Sequence, residues 1–405
     1  MKIAQATAQI PFLLLTCLFM NSLARADTSD VLNFTIGESV MFDDNIFRLS
    51  PDTPSLLAIG SSERGDRVIN TSAGVTFDKR ISRQQFQVDA NFNQARYNRF
   101  SFLDYNGKDL KATWNWELAG HYFGLLRKTR SDSLTSFGDF RSPVKNVVTY
   151  DTTYASANWQ LHPDWLISVS TTKTDGVNSS AKNTISNYES KALETGFRYT
   201  PRSNNSLGIK LRHTDAGYPN RQVVSGYNID NTYRQDEVEA DVVWQLTGLT
   251  KLSGYISNLR RRHQEAPNRN YSGPTGRIEL DWFATGKATL NLAVRQDLSA
   301  TDAALASYVL TRAVSITPTW TPTAKTSVQA MLERRQRRYQ GDPTPIFSNT
   351  EKQTDKIKTL SLNISYQPVS AVQLGLSLRS EQRDSNITGS SYRDKLANLS
   401  VQFKF

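Results

Sequence analysis

The sequence has one cysteine among its 405 residues, Cys17, and that residue lies in an apolar N-terminal segment. The preceding Leu14-Leu15-Thr16 lacks the small residue expected before a lipoprotein cysteine, so we do not expect lipidation. If this segment is removed, the mature chain has no thiol. That excludes a disulfide framework and a cysteine-ligated metal site.

The N-terminal segment has the three parts of a secretory signal. Lys2 supplies a positive charge, residues 10–20 form an apolar core, and Ala24-Arg25-Ala26 matches a small-residue cleavage site. The apolar core is too short and wrongly flanked for a transmembrane helix. We therefore predict a signal peptide over residues 1–26 and a mature chain over residues 27–405, with no sequence signal for a second domain.

Beyond residue 26 the sequence lacks any apolar run of membrane-helix length, and the mean hydropathy is −0.50. A β-barrel wall also has a polar average, because lipid-facing and lumen-facing residues alternate. Sixteen Tyr, eighteen Phe and seven Trp argue against disorder. The net charge of +10, or +8 without Lys2 and Arg25, favours anionic partners such as lipopolysaccharide phosphates or an acidic glycan.

Alternation of apolar and polar residues is the dominant pattern. Leu110, Ala112, Trp114, Trp116 and Leu118 share one parity, and polar residues occupy the other. Residues 237–246 and 359–366 alternate in the same way. A period of two with one apolar face indicates β-strands.

The strands occur in a repeating unit that ends at an aromatic residue just before a short turn, often with Pro or Gly. Proline and glycine suit tight turns, and proline is excluded from central strands. Nine aromatic anchors recur at intervals of 38–46 residues: Phe77, Trp116, Trp159, Tyr199, Trp244, Trp282, Trp320, Tyr366 and Phe405. Nine units of two strands predict an antiparallel up-and-down transmembrane β-barrel of about 18 strands.

The connections at the other end of each unit are longer and polar, as in residues 50–67, 131–146, 215–231 and 339–355. Short turns at one rim and long loops at the other are typical of outer-membrane barrels. The anchors are then expected to form the periplasmic aromatic girdle, with both termini in the periplasm. A β-propeller has a similar repeat length, but each repeat here holds only two runs of strand length.

The parity opposite the apolar face is expected to line the lumen and carries both charges. Five arginines on outbound strands share this parity near the long-loop end: Arg212, Arg261, Arg295, Arg335 and Arg379. Lumen-facing acids on returning strands include Glu239, Asp241, Glu279 and Asp281. One interpretation is a basic band that conducts an anionic substrate. The alternative is that these arginines contact lipopolysaccharide or loop acids and only set the charge of the mouth.

Catalysis has little support in the sequence. The four histidines, at positions 121, 162, 213 and 263, are scattered and do not have metal-ligand spacing. No G-x-S-x-G motif is present. We predict no enzymatic activity, no cofactor, no metal and no nucleic-acid partner.

The first strand leads into Phe42-Asp43-Asp44-Asn45-Ile46-Phe47-Arg48-Leu49. This motif resembles the start of a group of bacterial β-barrel porin-like proteins, in particular the EpsL-type outer-membrane proteins of exosortase-linked exopolysaccharide gene clusters. The resemblance implies a role in exporting extracellular polysaccharide, with other secretion components as partners. For Asp43, Asp44, Asn45, Phe47 and Arg48 we expect a structural role, in which short polar residues turn the chain and pair with a neighbouring loop.

Three hypotheses follow for a protein of the Gram-negative outer membrane. The first is a channel or transporter component for exopolysaccharide. The second is a general porin for small anions, and the third is a non-conducting surface barrel that anchors polysaccharide. In each, the expected partners also include outer-membrane lipid, lipopolysaccharide and the barrel-assembly machinery, which we expect to recognise the terminal Phe405.

Overall fold

The computed structural model describes residues 31–139, 143–203, 205–220, 223–224, 227–228, 230–264, 267–300, 308–341 and 351–405. The predicted signal peptide and Cys17 lie outside these residues. The described residues form 20 β-strands, of which 18 belong to one sheet. The other two, β10 and β11, form a small hairpin in the connection that follows β9.

The strands have the following bounds. In chain order they are β1 Leu32–Asp43, β2 Asp66–Ile81, β3 Gln84–Tyr97, β4 Tyr105–Leu118, β5 Tyr122–Leu134, β6 Val147–His162, β7 Trp165–Asn178, β8 Tyr188–Tyr199, β9 Ser206–Gly217, β10 Val223–Val224, β11 Tyr227–Asn228, β12 Tyr233–Thr247, β13 Thr250–His263, β14 Tyr271–Thr285, β15 Ala288–Ala300, β16 Tyr308–Thr323, β17 Thr326–Gln340, β18 Thr354–Val369, β19 Val372–Ser385 and β20 Tyr392–Lys404. The described helices are short: α1, Ser55–Ile59, and three 3₁₀ turns, Ser101–Leu103, Ala181–Ser186 and Pro267–Arg269.

The sheet closes on itself, so the predicted 18-stranded antiparallel barrel is confirmed. Each strand pairs with its neighbours in sequence, β9 pairs with β12 across the hairpin, and β1 pairs with β20. The terminal Phe405 completes the seam, since its backbone exchanges hydrogen bonds of 2.9 and 3.0 Å with Phe34. Closure leaves no free sheet edge, as a hydrocarbon environment requires.

The two faces of the barrel differ as the alternation predicts. The outward parity exposes apolar side chains on strand after strand, for example Val88, Leu211, Ile256, Leu332 and Leu399. Water-soluble monomers rarely expose a continuous apolar surface of this size, so lipid is the solvent that this face fits. Among the residues that the structure describes, no helix is long and apolar enough to cross a membrane.

The two rims differ in the length of their connections. One rim has short turns, such as 82–83, 163–164, 248–249 and 286–287, and all nine aromatic anchors lie near the strand ends at this rim. The other rim has the long connections, the longest being 44–65. Two strands extend further into the long connections than the sequence indicated: β5 ends at Leu134 and β9 at Gly217. Backbone pairing between strands continues there although the apolar and polar residues no longer alternate.

Candidate channel interior

All nine charged residues predicted for the lumen lie on the inward parity. On each strand the apolar neighbours at alternate positions are the exposed ones, as with Val294 beside Arg295 and Leu332 between Glu333 and Met331. The inward set is Arg212, Arg261, Arg295, Arg335, Arg379, Glu239, Asp241, Glu279 and Asp281. The structure does not join the five arginines into one ring; it divides them among three groups.

The first group is a row of three arginines bridged by two carboxylates. Arg295 contacts Glu333 at 3.0 Å, and Glu333 also lies 3.6 Å from Arg335. Arg335 in turn contacts Glu381 at 2.7 Å, and Arg379 contacts the same carboxylate oxygen at 2.6 Å. We call these five residues the arginine row. It runs along the inner wall from β15 to β19.

Glu381 is the anchor of the arginine row. It is 3% exposed, and it accepts hydrogen bonds from the hydroxyls of Thr359 at 3.0 Å and Tyr392 at 2.6 Å besides its two arginines. A buried carboxylate is stable only with such partners. The arginines themselves stay partly open to the lumen, so the row presents cations on a fixed acidic support.

The second group lies on β8, β9 and β12. Arg212 contacts Glu194, and it lies 3.2 Å from Glu237. Lys210 bridges Glu239 at 2.7 Å and Asp241 at 3.3 Å, and Arg198 reaches Asp241 at 3.1 Å. Four acids here face three cations, so this part of the wall carries an excess of negative charge.

Arg261 stands apart from both groups. Its guanidinium lies 3.9 Å from the centre of the Tyr233 ring and donates to the side chain of Gln235 at 2.8 and 3.0 Å. The two remaining predicted acids have local partners: Glu279 contacts Arg277, and Asp281 accepts a hydrogen bond of 2.7 Å from Asn291. Each cation of the predicted basic band therefore has acidic or polar partners close by, and the cations do not form a continuous band.

The N-terminal motif forms a turn that is fastened to β20. The side chain of Asn45 donates to the carbonyl oxygens of Leu49 and Arg393 at 2.9 Å each. The backbone of Asp44 donates to Lys395 and its carboxylate accepts from the backbone of Lys395 at 2.7 Å. Arg48, with a positive φ of 55°, pairs with Asp43 at 2.8 Å. The motif residues thus form a turn whose partners lie on β20, whereas we expected pairing with a neighbouring loop.

The charge of Arg48 is stabilised within this turn. Burial disfavours the charged guanidinium, but the hydrogen bond to Asp43 and the charges of Asp43 and Asp394 outweigh that cost, so the pKa of Arg48 is raised above its ordinary value. The Arg48 guanidinium therefore remains charged at any physiological pH.

The same turn delivers Phe47 into an aromatic cluster at the long-loop rim. Phe47 is 1% exposed, and its ring centre lies 4.8 Å from that of Phe100 and 4.7 Å from that of Phe137. Ile46 and Leu103 belong to the same cluster, which also packs on Val68 of β2 and Ala95 of β3. Its other members come from three successive connections, β1–β2, β3–β4 and β5–β6, so these connections pack together as one unit. We call it the loop cluster.

The connection after β5 also reaches strands almost opposite in the barrel. The guanidinium of Arg383 on β19 donates to the carbonyl oxygen of Gly138, and Arg337 on β17 pairs with Asp139. From β5 to β17 the ring passes β4, β3, β2, β1, β20, β19 and β18. The loop cluster therefore extends across the lumen and narrows the mouth.

Arg383 is held from below by a buried ion pair. It contacts Asp355 at 2.6 Å, with side-chain exposures of 2% and 0%. The hydroxyl of Tyr339 lies 3.3 Å from the same guanidinium. Removing one partner of a buried ion pair is costly, because the other partner remains as an uncompensated buried charge.

A cavity of about 520 Å³ lies near the long-loop rim, between Thr135 and Arg261. Tyrosines line much of it, and amides and cations supply polar groups. The lining includes Tyr150, Tyr188, Tyr218, Tyr233, Asn183 and Arg261. Aromatic faces with a few fixed polar groups are typical of sites for small organic ligands.

The sequence reasoning missed the acids that define the arginine row. Glu333 precedes Arg335 by two positions and Glu381 follows Arg379 by two, so both share the inward parity and could have been found by that rule. The contacts of Asp139 and Gly138 had no such signal. Within the described part of the chain, no group of three or more His, Asp or Glu side chains could hold a metal ion.

Comparison with known proteins supports the barrel fold. The family model described as "Putative beta-barrel porin 2" matches residues 245–405, the end of β12 and all of β13–β20. No curated protein matches the chain. Among solved structures, the chain resembles Pseudomonas aeruginosa OccK2 (OpdF), with 9% identity, a TM-score of 0.53 and coverage of 92% of this chain and 98% of that one.

Two further structures give the same result. Pseudomonas aeruginosa OpdK with vanillate has 9% identity and a TM-score of 0.52 over 92% of this chain and 99% of that one. Acinetobacter baumannii OccAB4 has 8% identity and a TM-score of 0.50 over 93% and 99%. At these identities the likeness shows the fold alone. The chain has the fold of a porin-like outer-membrane barrel.

Proposed function

We propose that the chain is an outer-membrane diffusion channel for small polar solutes that carry a carboxylate. The arginine row supports this proposal most directly. A guanidinium binds a carboxylate through two parallel hydrogen bonds, whichever molecule supplies the carboxylate. A solute acid can therefore take the place of Glu333 beside Arg295 or Arg335 and move along the row by exchanging partners. Multiple weak sites of this kind favour passage over trapping.

The proposal includes an orientation. The long-loop rim faces the exterior, while the short turns, the aromatic anchors and both termini face the periplasm, as in bacterial outer-membrane barrels. A solute arriving from outside then meets the loop cluster first and the arginine row next. The loop cluster sets an upper size for what enters.

Reversal potentials and conductance in planar bilayers test the channel. The double variant Arg295→Gln with Arg335→Gln removes two of the three cations in the row, and we expect it to lose most of the anion selectivity. Lys111→Gln is the matched control, because Lys111 also faces the lumen and has one acidic partner, Asp89, at 3.2 Å. Vanillate is a sensible first solute, since it is a small carboxylate named with the similar OpdK.

Two results would contradict this proposal. One is a wild-type barrel that conducts no ions, and the other is equal anion selectivity in the double variant and in wild type. A non-conducting barrel that retains glycan at the cell surface would favour the anchoring hypothesis, in which deletion of the protein sheds polysaccharide without stopping its secretion.

Export of extracellular polysaccharide is the second candidate. The resemblance of residues 42–49 to EpsL-type proteins supports it, as does the tyrosine-lined cavity, where sugar rings could stack and hydrogen-bond. A polymer would require the loop cluster to move aside. Liposome swelling with oligosaccharides of increasing length separates the candidates, since a fixed mouth gives a sharp size limit and an export path does not.

A further inference from the structure

The outer wall carries a group of cations just beyond its apolar belt. Arg312 on β16, Arg334 on β17, and Lys356 and Lys358 on β18 are exposed and share the parity of lipid-facing residues. The next outward positions along these strands, towards the short-turn rim, are apolar: Val314, Leu332 and Leu360. We call the four cations the outer basic patch.

The members of the patch are close neighbours by strand register. Arg334 lies directly opposite Lys358, and Gln336 lies opposite both Arg312 and Lys356. Like charges directly opposite each other on one face of a sheet are destabilising. Such a pair is expected where an anion from outside the chain sits between the two cations.

The chain itself supplies no such anion in the part that the structure describes. None of the four cations has a carboxylate oxygen within 4.0 Å among these residues. Asp384 is opposite Lys356 in register, but its carboxylate accepts a hydrogen bond of 2.9 Å from Gln382 instead. Arg312 donates to the side chain of Gln296 at 2.6 Å, a neutral partner.

Several outward cations elsewhere on the barrel do have an acidic partner within the chain. On β5, Lys128 and Arg130 lie 3.8 and 3.4 Å from Asp151. On β7, Lys173 contacts Asp175 at 2.9 Å, and on β12, Arg234 contacts Asp215 at 3.2 Å. These four cations have a carboxylate partner within the chain, in contrast to the four cations of the outer basic patch.

Two adjoining grooves cross the boundary between the patch and the apolar belt. One, of about 510 Å³, has Leu332, Leu360 and Val314 along its floor and Arg334 and Lys358 at its end. The other, of about 500 Å³, has Ile278 and Val294 with Arg312, Arg334 and Lys356. Each groove is apolar where acyl chains would lie and cationic where a head group would lie.

We propose that the outer basic patch binds the phosphate groups of a glycolipid of the outer leaflet, the class to which lipopolysaccharide belongs. The acyl chains lie in the apolar part of the two grooves, and phosphate accepts hydrogen bonds from Arg334, Lys358 and their neighbours. The site rests on the proposed orientation, which puts this rim in the outer leaflet, but it does not depend on conduction. Binding is measured on the protein in detergent, so a non-conducting barrel would leave this proposal intact.

Native mass spectrometry of the detergent-solubilised barrel with lipid A tests the site. The double variant Arg334→Gln with Lys358→Gln is expected to weaken binding about 30-fold, roughly fivefold for each cation at a membrane surface. Lys128→Gln with Arg130→Gln is the matched control, since it removes the same charge from the opposite outer wall and should leave binding unchanged. A second pair, Arg312→Gln with Lys356→Gln, should weaken binding as well.

The probes separate the sources of phosphate. Dephosphorylated lipid A should bind as weakly to wild type as lipid A binds to the first double variant. Inorganic phosphate alone should not compete at concentrations that saturate lipid A, because it gains nothing from the grooves. Equal binding of phosphatidylglycerol and lipid A, or equal loss in the control pair and the patch variants, would overturn the proposal.

Discussion

The inner and outer faces of β17 and β18 differ in whether their charged residues form ion pairs within the chain. On the inner face, Arg335, Arg337 and Asp355 all form ion pairs within 4.0 Å. On the outer face, Arg334 and Lys356 are the sequence neighbours of Arg335 and Asp355, and they have no carboxylate partner among the described residues. The inner cations form an ion-pair network within the chain, whereas the outer cations are available to an anion from outside the chain.

Curvature accounts for part of this difference. On the inside, ion pairs join strands that are not neighbours: Arg335 on β17 reaches Glu381 on β19, and Arg198 on β8 reaches Asp241 on β12. On the outside, the pairs found in the described residues link adjacent strands or one strand, as with Arg130 and Asp151. A closed barrel brings inward side chains together and spreads outward ones apart.

The largest expected effect comes from breaking the buried pair on the inner face. Asp355→Asn leaves Arg383 charged and nearly without solvent, so we expect a loss of roughly 3–5 kcal/mol in the free energy of unfolding. Unfolding in urea, followed by the heat-dependent shift in gel mobility, measures it. Lys356→Gln, the next residue on the outer face, is the control and should change stability little. Equal effects of the two substitutions would remove the distinction between the faces.

The next effect concerns the loop cluster. Phe47→Ala removes the ring that joins Phe100 to Phe137, and truncating a buried phenylalanine costs about 3–5 kcal/mol of packing energy. The three connections should separate and the mouth widen, which single-channel recording would detect as a larger conductance.

Phe92→Ala is the matched control for the loop cluster. Phe92 is 50% exposed on the lipid-facing side, so the same truncation there should leave conductance unchanged. A Phe47→Ala barrel with wild-type conductance would show that the loop cluster does not limit the path.

The sequence predicts most of the barrel because each strand carries its own alternating pattern. Strand number, the two faces, the short-turn aromatics and the inward position of residues such as Arg295 and Glu239 all follow from parity and spacing. The acids beside the arginines obey the same rule. Local pattern suffices here because a strand's face is fixed by its own alternation.

The mouth could not be predicted in the same way. The contacts of Gly138 with Arg383 and of Asp139 with Arg337 join residues that are far apart in sequence and almost opposite around the barrel. No periodicity relates them, because the loop has none. Phe47 was recognised as part of a motif, but its partners Phe100 and Phe137 become neighbours only when three connections fold over the lumen.

A smaller effect is expected for the ion pair that fastens the loop across the lumen. Asp139→Asn removes the partner of Arg337, and because Asp139 is 58% exposed, the pair should contribute about 0.2–1 kcal/mol. More frequent closing and opening events in single-channel traces would report a looser loop. Raising the salt concentration should move wild type towards the variant and leave the variant nearly unchanged. A variant that remains as salt-sensitive as wild type would argue against this contact.

The smallest expected effect is the change in the free energy of unfolding when one outward lysine is replaced. Its sign is expected to differ between the two outer walls. In detergent without glycolipid, Lys358→Gln relieves the repulsion with Arg334 and should raise the free energy of unfolding by about 0.2–1 kcal/mol. Lys128→Gln on the opposite wall loses its attraction to Asp151 and should lower it by about 0–1 kcal/mol. Added lipid A should reverse the first sign and leave the second alone, since only the outer basic patch then has an anion to lose. Two changes of the same sign in detergent would mean that the outer cations on both walls are equally well compensated.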